Sequence, residues 1–247
     1  MKAPNFIYIL ALVQFIFSSC KKEQSTPGTS SLTLINAVVG SSALISNYGN
    51  TDSLTYYAGA QTLYYGSYSS STNIVSSYSG LVSLSLYQST DTTKKSNPLY
   101  HLDLNLPVGT IHTLFLTGTV SAPDTLFTTD TPPYHPPGDS SVGIRFVNLS
   151  PLSSPISINI KNNSATPEIA SLSYKRITDF KSYAATSKIS SYVFEFRNAA
   201  SGTLLASYTL SNINAATSLV RFRNVTIAVK GIGDGSGPMG TFLINNY

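Results

Sequence analysis

The chain has 247 residues, of which 11% are charged, and its formal net charge is +4. Because an average soluble protein is about 25% charged, this composition argues against helices built from Glu and Lys. It favours short strands rich in Ser, Thr, Tyr, Val, Ile and Leu. Beyond the N-terminal region, no stretch approaches the ~20 consecutive apolar residues that a transmembrane helix requires.

The N-terminus predicts a lipoprotein signal peptide over residues 1–19. Lys2 precedes an apolar run at positions 6–17, and a Ser-Ser-Cys sequence ends at Cys20. The run has the length of a signal-peptide core and is too short to span a membrane. The sequence resembles the lipobox of bacterial lipoproteins, with Phe17 in place of the usual Leu. This resemblance implies cleavage before Cys20 and acylation of its sulfur, whereas the alternative is an ordinary secretory signal with a chance cysteine.

Lipid on Cys20 would be the membrane attachment of the mature protein. Cys20 is the only cysteine in the chain and therefore cannot form an internal disulfide. Each buried CH₂ contributes ~0.8 kcal/mol, so two or more chains such as palmitate anchor a protein stably. Residues 20–31 are polar and predict a lipidated tether. The predicted location is the cell envelope, as an outer membrane lipoprotein on either the periplasmic or the surface-exposed face.

A proline-rich segment divides the remainder. Residues 131–140 (TPPYHPPGDS) contain four prolines, which remove backbone donors and predict a stiff connector. We therefore expect one domain over residues 32–130 and a second over residues 141–247.

The two sides of the connector resemble each other. Both matching regions contain an alternating strand, a short turn and another strand, and Asn36 and Asn148 occupy equivalent places. Two copies of one fold explain this similarity. The matched segments are 32–48 with 144–160, and 81–87 with 192–198.

Alternation within a copy indicates strands. In residues 192–197, Tyr192, Phe194 and Phe196 share one face, which we expect to pack inward. About seven strands per copy, without amphipathic helices for crossovers, favour an antiparallel sandwich. In the second copy they are predicted near Val142, Ile156, Ser171, Ser182, Ser191, Thr203 and Ser218, with a terminal pair from Val225 and Thr241.

The second copy resembles the lipoprotein family called domain of unknown function 4397. The resemblance depends on residues 145–151 (RFVNLSP) and 193–205 (VFEFRNAASGTLL), and it is weaker in the first copy. It implies an all-β chain with two tandem immunoglobulin-like antiparallel β-sandwich domains after the signal peptide. The family supplies no catalytic residue that could be transferred to this chain.

The histidines and the glycine-rich segment offer little chemistry. His101 and Asp103 share a predicted strand face, His112 lies on another strand, and His135 lies among the connector prolines. A triad or metal site needs groups that converge. Residues 231–240 (GIGDGSGPMG) lack the Lys-Ser/Thr of a phosphate loop and the acidic ligands of a calcium loop, which favours a hairpin loop.

Three short motifs resemble the Asp-Ser/Thr-apolar sites that some Gram-negative bacteria O-glycosylate. Their acceptors are Ser53, Thr92 and Thr125. A mass shift on mutating Thr125 would test the modification.

Charge and tyrosine content suggest two kinds of ligand. Residues 31–130 have two Lys against five Asp, giving −3, whereas residues 141–247 have ten Lys or Arg against four acidic residues, giving +6. Arg221 and Arg223, two apart on a predicted strand, are the candidate contacts for an anionic ligand. Tyr64 and Tyr78 belong to a tyrosine-rich region that could stack on sugars or serve the sheet.

The sequence thus predicts a non-enzymatic, lipid-anchored envelope protein for binding, adhesion or scaffolding. The alternative is a carbohydrate-binding accessory lipoprotein of the outer membrane. The expected partners are the membrane, through Cys20, and an envelope protein or glycan. We expect no cofactor, metal or nucleic acid.

Overall fold

In the computed structural model of the chain, the described residues are 28–49, 60–93, 95–136, 138–163, 166–215 and 217–246. The predicted signal peptide, Cys20 and Ser53 lie outside them. No helix in these segments is long and apolar enough to cross a membrane.

The first half of the chain forms two four-stranded sheets. Sheet I has the order β3-β2-β5-β6 and sheet II the order β4-β1-β7-β8. The elements are β1 (Thr29–Asn36), β2 (Ala43–Tyr48), β3 (Thr62–Tyr64), the short helix α1 (Ser70–Asn73), β4 (Ile74–Tyr78), β5 (Gly80–Gln88), β6 (Tyr100–Leu106), β7 (Ile111–Gly118) and β8 (Pro123–Thr129).

The second half repeats this order. Sheet III is β12-β9-β15-β16 and sheet IV is β11-β10-β13-β14. The strands are β9 (Ser141–Asn148), β10 (Ile156–Ile160), β11 (Ile169–Leu172), β12 (Lys181–Ala184), β13 (Tyr192–Asn198), β14 (Leu204–Leu210), β15 (Asn224–Lys230) and β16 (Gly240–Asn246). The all-β prediction is confirmed, with eight strands per half, and the predicted strand near Ser218 is absent because residues 218–223 form turns and bends.

Two buried asparagines confirm the internal repeat in detail. Asn36 ends β1, where its Oδ1 accepts from the amide of Val38 and its Nδ2 donates to the carbonyl of Leu63. Asn148 ends β9 and makes the equivalent two bonds. Its Oδ1 accepts from the amide of Ser150 and its Nδ2 donates to the carbonyl of Leu172. Each asparagine thereby ties its strand to the facing sheet of the same half.

The first and seventh strands of each half pair in parallel. In β1 and β7 the partners include Leu34 with Leu114, and in β9 and β15 they include Phe146 with Ile227. The remaining ladders are antiparallel, so the predicted antiparallel sandwich is confirmed, with one parallel pair of strands in each half as an addition. No crossover helix is needed, because the chain crosses to the other sheet between the two paired strands.

A leucine-rich core lies between sheets I and II, and an aromatic core lies between sheets III and IV. Leu34, Leu84 and Leu116 are fully buried in the first core. Phe194 and Phe196 are fully buried in the second, which confirms the inward face predicted for β13. Each half is therefore a sandwich.

The two sandwiches also pack against each other. A third apolar cluster joins Ile35 and Phe115 on sheet II to Val147, Ala228 and Ile244 on sheet III. Sheets II and III consequently have both faces covered, and the four sheets form a stack in the order I, II, III, IV. The polar connector therefore joins two bodies that share an apolar interface.

The ends of several strands meet at one end of this stack. Ser31 at the start of β1, Asp130 just after β8 and Asn246 at the end of β16 line a small cavity of about 90 Å³. At the opposite end, the Thr117 hydroxyl of β7 donates to the carbonyl of Leu149, which follows β9. The first strands of the two sandwiches thus begin at the same end of the molecule.

Candidate functional site

Arg145 is a charged residue in the middle of an otherwise apolar buried strand. Val142, Ile144 and Phe146 of β9 face the core of the second sandwich. Arg145 alternates with them and lies on the face of β9 that turns toward the first sandwich. Only 5% of the residue is exposed.

The Arg145 guanidinium forms an ion pair across the junction. Its Nη1 lies 2.8 Å from Oδ1 of Asp130, which is also buried. Thr113 and Thr128 donate hydroxyl hydrogen bonds to the same carboxylate. On its other side, Arg145 Nε donates to the Thr226 hydroxyl at 2.8 Å. These bonds offset much of the cost of removing both charges from water.

One nitrogen of this guanidinium remains unsatisfied. Arg145 Nη2 is buried and has no hydrogen-bond partner among the described residues. The guanidinium carbon lies 4.5 Å from the centroid of the Phe180 ring, which is a cation–π contact. An unpaired buried donor is costly, and such groups are uncommon in folded proteins. Arg145 therefore has unused hydrogen-bonding capacity.

A cleft of about 550 Å³ opens beside Arg145, and we call it the junction cleft. Residues of both sandwiches and the connector line it, so neither half forms it alone. Its lining consists of Thr128, Thr129, Thr131, Pro133, Arg145, Ile177, Thr178, Asp179 and Phe180. The lining combines hydroxyl groups, one exposed carboxylate and apolar or aromatic surface.

The threonines that line the cleft differ in how freely their hydroxyls can form hydrogen bonds with a ligand. Thr178 Oγ1 accepts from the amide of Phe146 and donates to the carbonyl of Asp179. Thr129 Oγ1 lies 3.3 Å from Nδ1 of the buried His112. Thr131, by contrast, is exposed at the rim. A ligand would therefore meet Thr131 with the least rearrangement.

A salt bridge supports the junction elsewhere. Lys175 Nζ lies 2.7 Å from Asp124 Oδ1, and Tyr174 also donates to the Asp124 carboxylate. Burial alone would raise the pKa of Asp124, but hydrogen bonds from Lys175, Thr125 and Tyr174 outweigh it and hold the pKa below its usual value. Burial raises the pKa of Tyr174.

A lysine from the second sandwich reaches an aromatic ring of the first. Lys230 Nζ lies 4.6 Å from the centroid of the Tyr65 ring. Burial lowers the pKa of Lys230 and raises that of Tyr65. The Tyr68 hydroxyl donates to the carbonyl of Asn245 nearby. These tyrosines therefore serve the junction, whereas Tyr64 and Tyr78 are 63% and 69% exposed.

The prediction that Arg221 and Arg223 share a strand face is wrong. Phe222 between them has φ +60°, and the amide of Arg223 donates to the carbonyl of Val220, so these residues form a turn before β15. Arg221 Nη2 donates to the carbonyl of Ile213. Residues 221–223 therefore do not place the two side chains on one strand face, and their contact with an anionic ligand stays a prediction.

The three histidines lie on different elements: β6 of sheet I, β7 of sheet II and the connector. His101 on β6 is exposed beside Ser85, at 2.9 Å, and Asp103 lies on the same face. His112 is buried and stacks on Phe127. Within the described segments, no three His, Cys, Asp or Glu residues form a group that could hold a metal ion.

His135 fastens the connector to the second sandwich. Asn224 Nδ2 donates to the carbonyl of Pro133, so its Oδ1 accepts from His135 Nε2 at 3.0 Å. The hydrogen bond from Ser141, and that from His135 when its imidazole carries both protons, lower the pKa of the half-buried Asp139. The proline-rich segment is thus held by side chains, in addition to the stiffness predicted from its composition.

The remaining predicted sites are placed as follows. Residues 231–239 join β15 to β16 as a hairpin loop, as predicted, and Asp234 Oδ1 accepts from the amide of Ser236. Thr92 lies in the loop after β5, and Thr125 lies on β8, an edge strand of sheet II. Use of either threonine as a glycan acceptor stays a prediction.

Sequence reasoning missed Arg145 and Asp130 as a site. The available signal was an arginine within the apolar run 142–149, where a charged side chain is seldom buried without a partner. Its partner Asp130 ends the preceding half, so the pairing depends on how the two sandwiches stack. Periodicity alone does not give that arrangement.

The chain belongs to the family described as Domain of unknown function (DUF4397), whose profile matches residues 30–159. The match therefore covers the first sandwich and the first two strands of the second, including residues 145–151, whereas the sequence resemblance was placed mainly in the second copy. No curated protein matches the chain.

Three solved structures show distant likeness. One is a streptococcal virulence factor described as binding alpha-glucan, with 10% identity and TM-score 0.25, covering 87% of this chain and 97% of that chain. A candidate polysaccharide-binding protein from Bacteroides thetaiotaomicron has 11% identity and TM-score 0.21, covering 89% and 98%. A candidate adhesin from Bacteroides ovatus has 10% identity and TM-score 0.22, covering 92% and 97%. TM-scores this low do not establish a shared fold, and the immunoglobulin-like character of the sandwiches stays a prediction.

Proposed function

We propose that this chain is a lipid-anchored, non-enzymatic binding protein of the bacterial cell envelope. The observation that carries the proposal is the junction cleft, which both sandwiches form around the buried Arg145–Asp130 pair. Its volume of about 550 Å³ lies within the range of ~300–1,000 Å³ that is usual for small-molecule sites. Because packed sheets hold the sandwiches together, the cleft is formed before a ligand arrives, which lowers the entropic cost of binding.

Blocking the cleft tests the binding function. Thr131 is exposed at the rim, so Thr131→Trp adds bulk inside the cleft without disturbing a core. We expect the purified mature chain to cosediment with isolated envelope material and the Thr131→Trp variant to lose this association. Asp103→Trp, on the exposed face of β6, is the matched control and should bind as the wild type does. Equal cosedimentation of both variants would contradict a role for the cleft.

In this proposal, attachment of the protein to the membrane depends on Cys20. Acylation of this residue would place both sandwiches at a membrane surface, and two or more acyl chains suffice for stable anchoring. Cys20→Ser should leave the chain unacylated and shift it from the membrane fraction to the soluble fraction of cells. A Cys20→Ser protein that still sediments with membranes would contradict the lipid anchor.

A carbohydrate-binding accessory role is the second candidate. The cleft favours it through its threonine hydroxyls and the Phe180 ring, since sugars need hydrogen-bonding partners and apolar contacts together. The exposed Tyr64 and Tyr78 offer further aromatic surface outside the cleft. If these tyrosines form the sugar site, Tyr64→Ala and Tyr78→Ala would abolish binding on a glycan array, whereas Thr131→Trp would not.

A further inference from the structure

We infer that the junction cleft binds a neutral polyhydroxylated ligand, such as one sugar unit of a glycan, and discriminates against anionic ligands. The inference rests on the proposed function and deepens it by naming the ligand class. It depends on the charge balance of the cleft, on the hydrogen-bonding groups along its lining, and on its apolar surface.

The charge balance of the cleft is unfavourable to an anion. Arg145 is the single basic residue of the lining, and Asp130 neutralises it at 2.8 Å. Asp130 lies behind Arg145 and is not part of the lining, whereas Asp179 lines the cleft, is exposed, and makes no ion pair within the described segments. The two carboxylates and one guanidinium together carry a net negative charge. An anionic ligand would face repulsion that a neutral ligand avoids.

The hydrogen-bonding groups match hydroxyls, which both donate and accept. The Asp179 carboxylate can accept from ligand hydroxyls, and charged acceptors form the stronger hydrogen bonds. Arg145 can only donate, and its Nη2 has no acceptor. The Nη2 atom itself is buried, so a ligand oxygen would accept from it only after a small movement of the guanidinium or of a lining side chain. A ligand hydroxyl would then donate to the exposed Asp179 and another would accept from Arg145.

The apolar part of the lining suits the CH groups of a sugar ring. Phe180, Ile177 and Pro133 supply this surface. The Arg145 guanidinium lies over the Phe180 ring at 4.5 Å, which holds the ring in place. The threonines add neutral hydroxyls, so the lining combines polar and apolar groups without adding charge.

Binding of defined disaccharides tests the ligand class. The probes are maltose, cellobiose and mannobiose as neutral ligands, and a glucuronate-containing disaccharide and inorganic phosphate as anions. In isothermal titration calorimetry of the mature chain, we expect at least one neutral disaccharide to bind and the anions to bind more weakly. Asp179→Asn keeps the side-chain shape and should weaken the neutral ligand at least tenfold, which corresponds to ~1.4 kcal/mol.

Asp103→Asn is the matched control, because this exposed carboxylate lies on sheet I away from the junction. Its affinity for the neutral disaccharide should equal that of the wild type. Unchanged affinity in Asp179→Asn would overturn the inference, as would tighter binding of the anionic probes. If no disaccharide binds while Thr131→Trp still abolishes cosedimentation with envelope material, the ligand class is wrong but the proposed function stands. If no disaccharide binds and Thr131→Trp also leaves cosedimentation unchanged, both the ligand class and the proposed function of the cleft are wrong.

Discussion

Replacing Arg145 with Met should destabilise the whole two-sandwich body. The substitution keeps an unbranched apolar chain of similar reach but removes the guanidinium, and therefore the 2.8 Å contact with Asp130. The Asp130 side chain is 1% exposed, so water cannot replace the lost partner. Thr113 and Thr128 would remain as its hydrogen-bond donors. A charged carboxylate would then be buried without a counter-charge.

The expected magnitude follows from this burial. Removing one partner of a buried ion pair lowers the free energy of unfolding by about 3–5 kcal/mol. Total stabilities are only about 5–15 kcal/mol, so Arg145→Met should remove a large share of the free energy of unfolding. The loss of the Thr226 hydrogen bond and of the contact with Phe180 acts in the same direction.

Urea denaturation followed by circular dichroism measures this loss. Lys181→Met is the comparison variant, because the Lys181 side chain is 60% exposed although that of its partner Glu168 is 12% exposed. Water and the Tyr183 hydroxyl still reach Glu168, so this variant should lose clearly less stability than Arg145→Met. Arg145→Met combined with Asp130→Leu should recover part of the stability, since the uncompensated charge is gone. If Arg145→Met and Lys181→Met proved equally stable, the ion pair would not hold the junction.

Three further predictions concern the repeat, a loop and acid stability. Asn36→Ala and Asn148→Ala should each cost about 1–3 kcal/mol in denaturant titrations, because each leaves a buried amide and carbonyl without partners. Gly233→Ala should cost about 1–3 kcal/mol by the same measurement, because its Cβ would lie 2.2 Å from backbone of the loop after β9. The depressed pKa of Asp124 stabilises the fold above the usual carboxyl pKa, and this contribution is lost as the pH falls through the depressed value. Lys175→Met should therefore flatten the acid limb of the stability profile, measured as unfolding midpoint against pH.

Each of these predictions has a control or a contradicting result. Gly237→Ala should be tolerated, because the nearest atom to its Cβ would be a flexible side-chain carbon at 3.4 Å. Markedly unequal costs for the two asparagine variants would argue against equivalent roles in the two sandwiches. An acid limb that is as steep in Lys175→Met as in the wild type would show that Asp124 does not contribute to it.

The sequence predicted what local periodicity determines. Phe194 and Phe196 recur every second residue, so a strand must place both on one face, and both are fully buried. The repeated Asn36 and Asn148 indicated equivalent turns, and the structure gives them the same bonds. These features depend on residues close together in the sequence.

The features that sequence analysis did not predict depend on how the two sandwiches pack against each other. Strand β9 is buried at every position, and such a continuous run does not reveal that a second sandwich covers its outer face. The parallel pairing of β1 with β7 also requires residues about 80 positions apart to meet, and no short-range pattern specifies such contacts. Arg145 lines the junction cleft only because of this stacking, and the turn at Phe222 replaces the strand on which Arg221 and Arg223 were predicted to lie.

The strand ends that meet around the 90 Å³ cavity define one end, or pole, of the molecule. Ser31 and Asn246 lie together there, and the threonines at the end of β8 place the junction cleft toward the same pole. A fluorophore coupled at the end of β16 would consequently sit at the pole where β1 begins. The hairpin over residues 231–239 lies at the remote pole, so an epitope inserted there would stay away from the junction cleft.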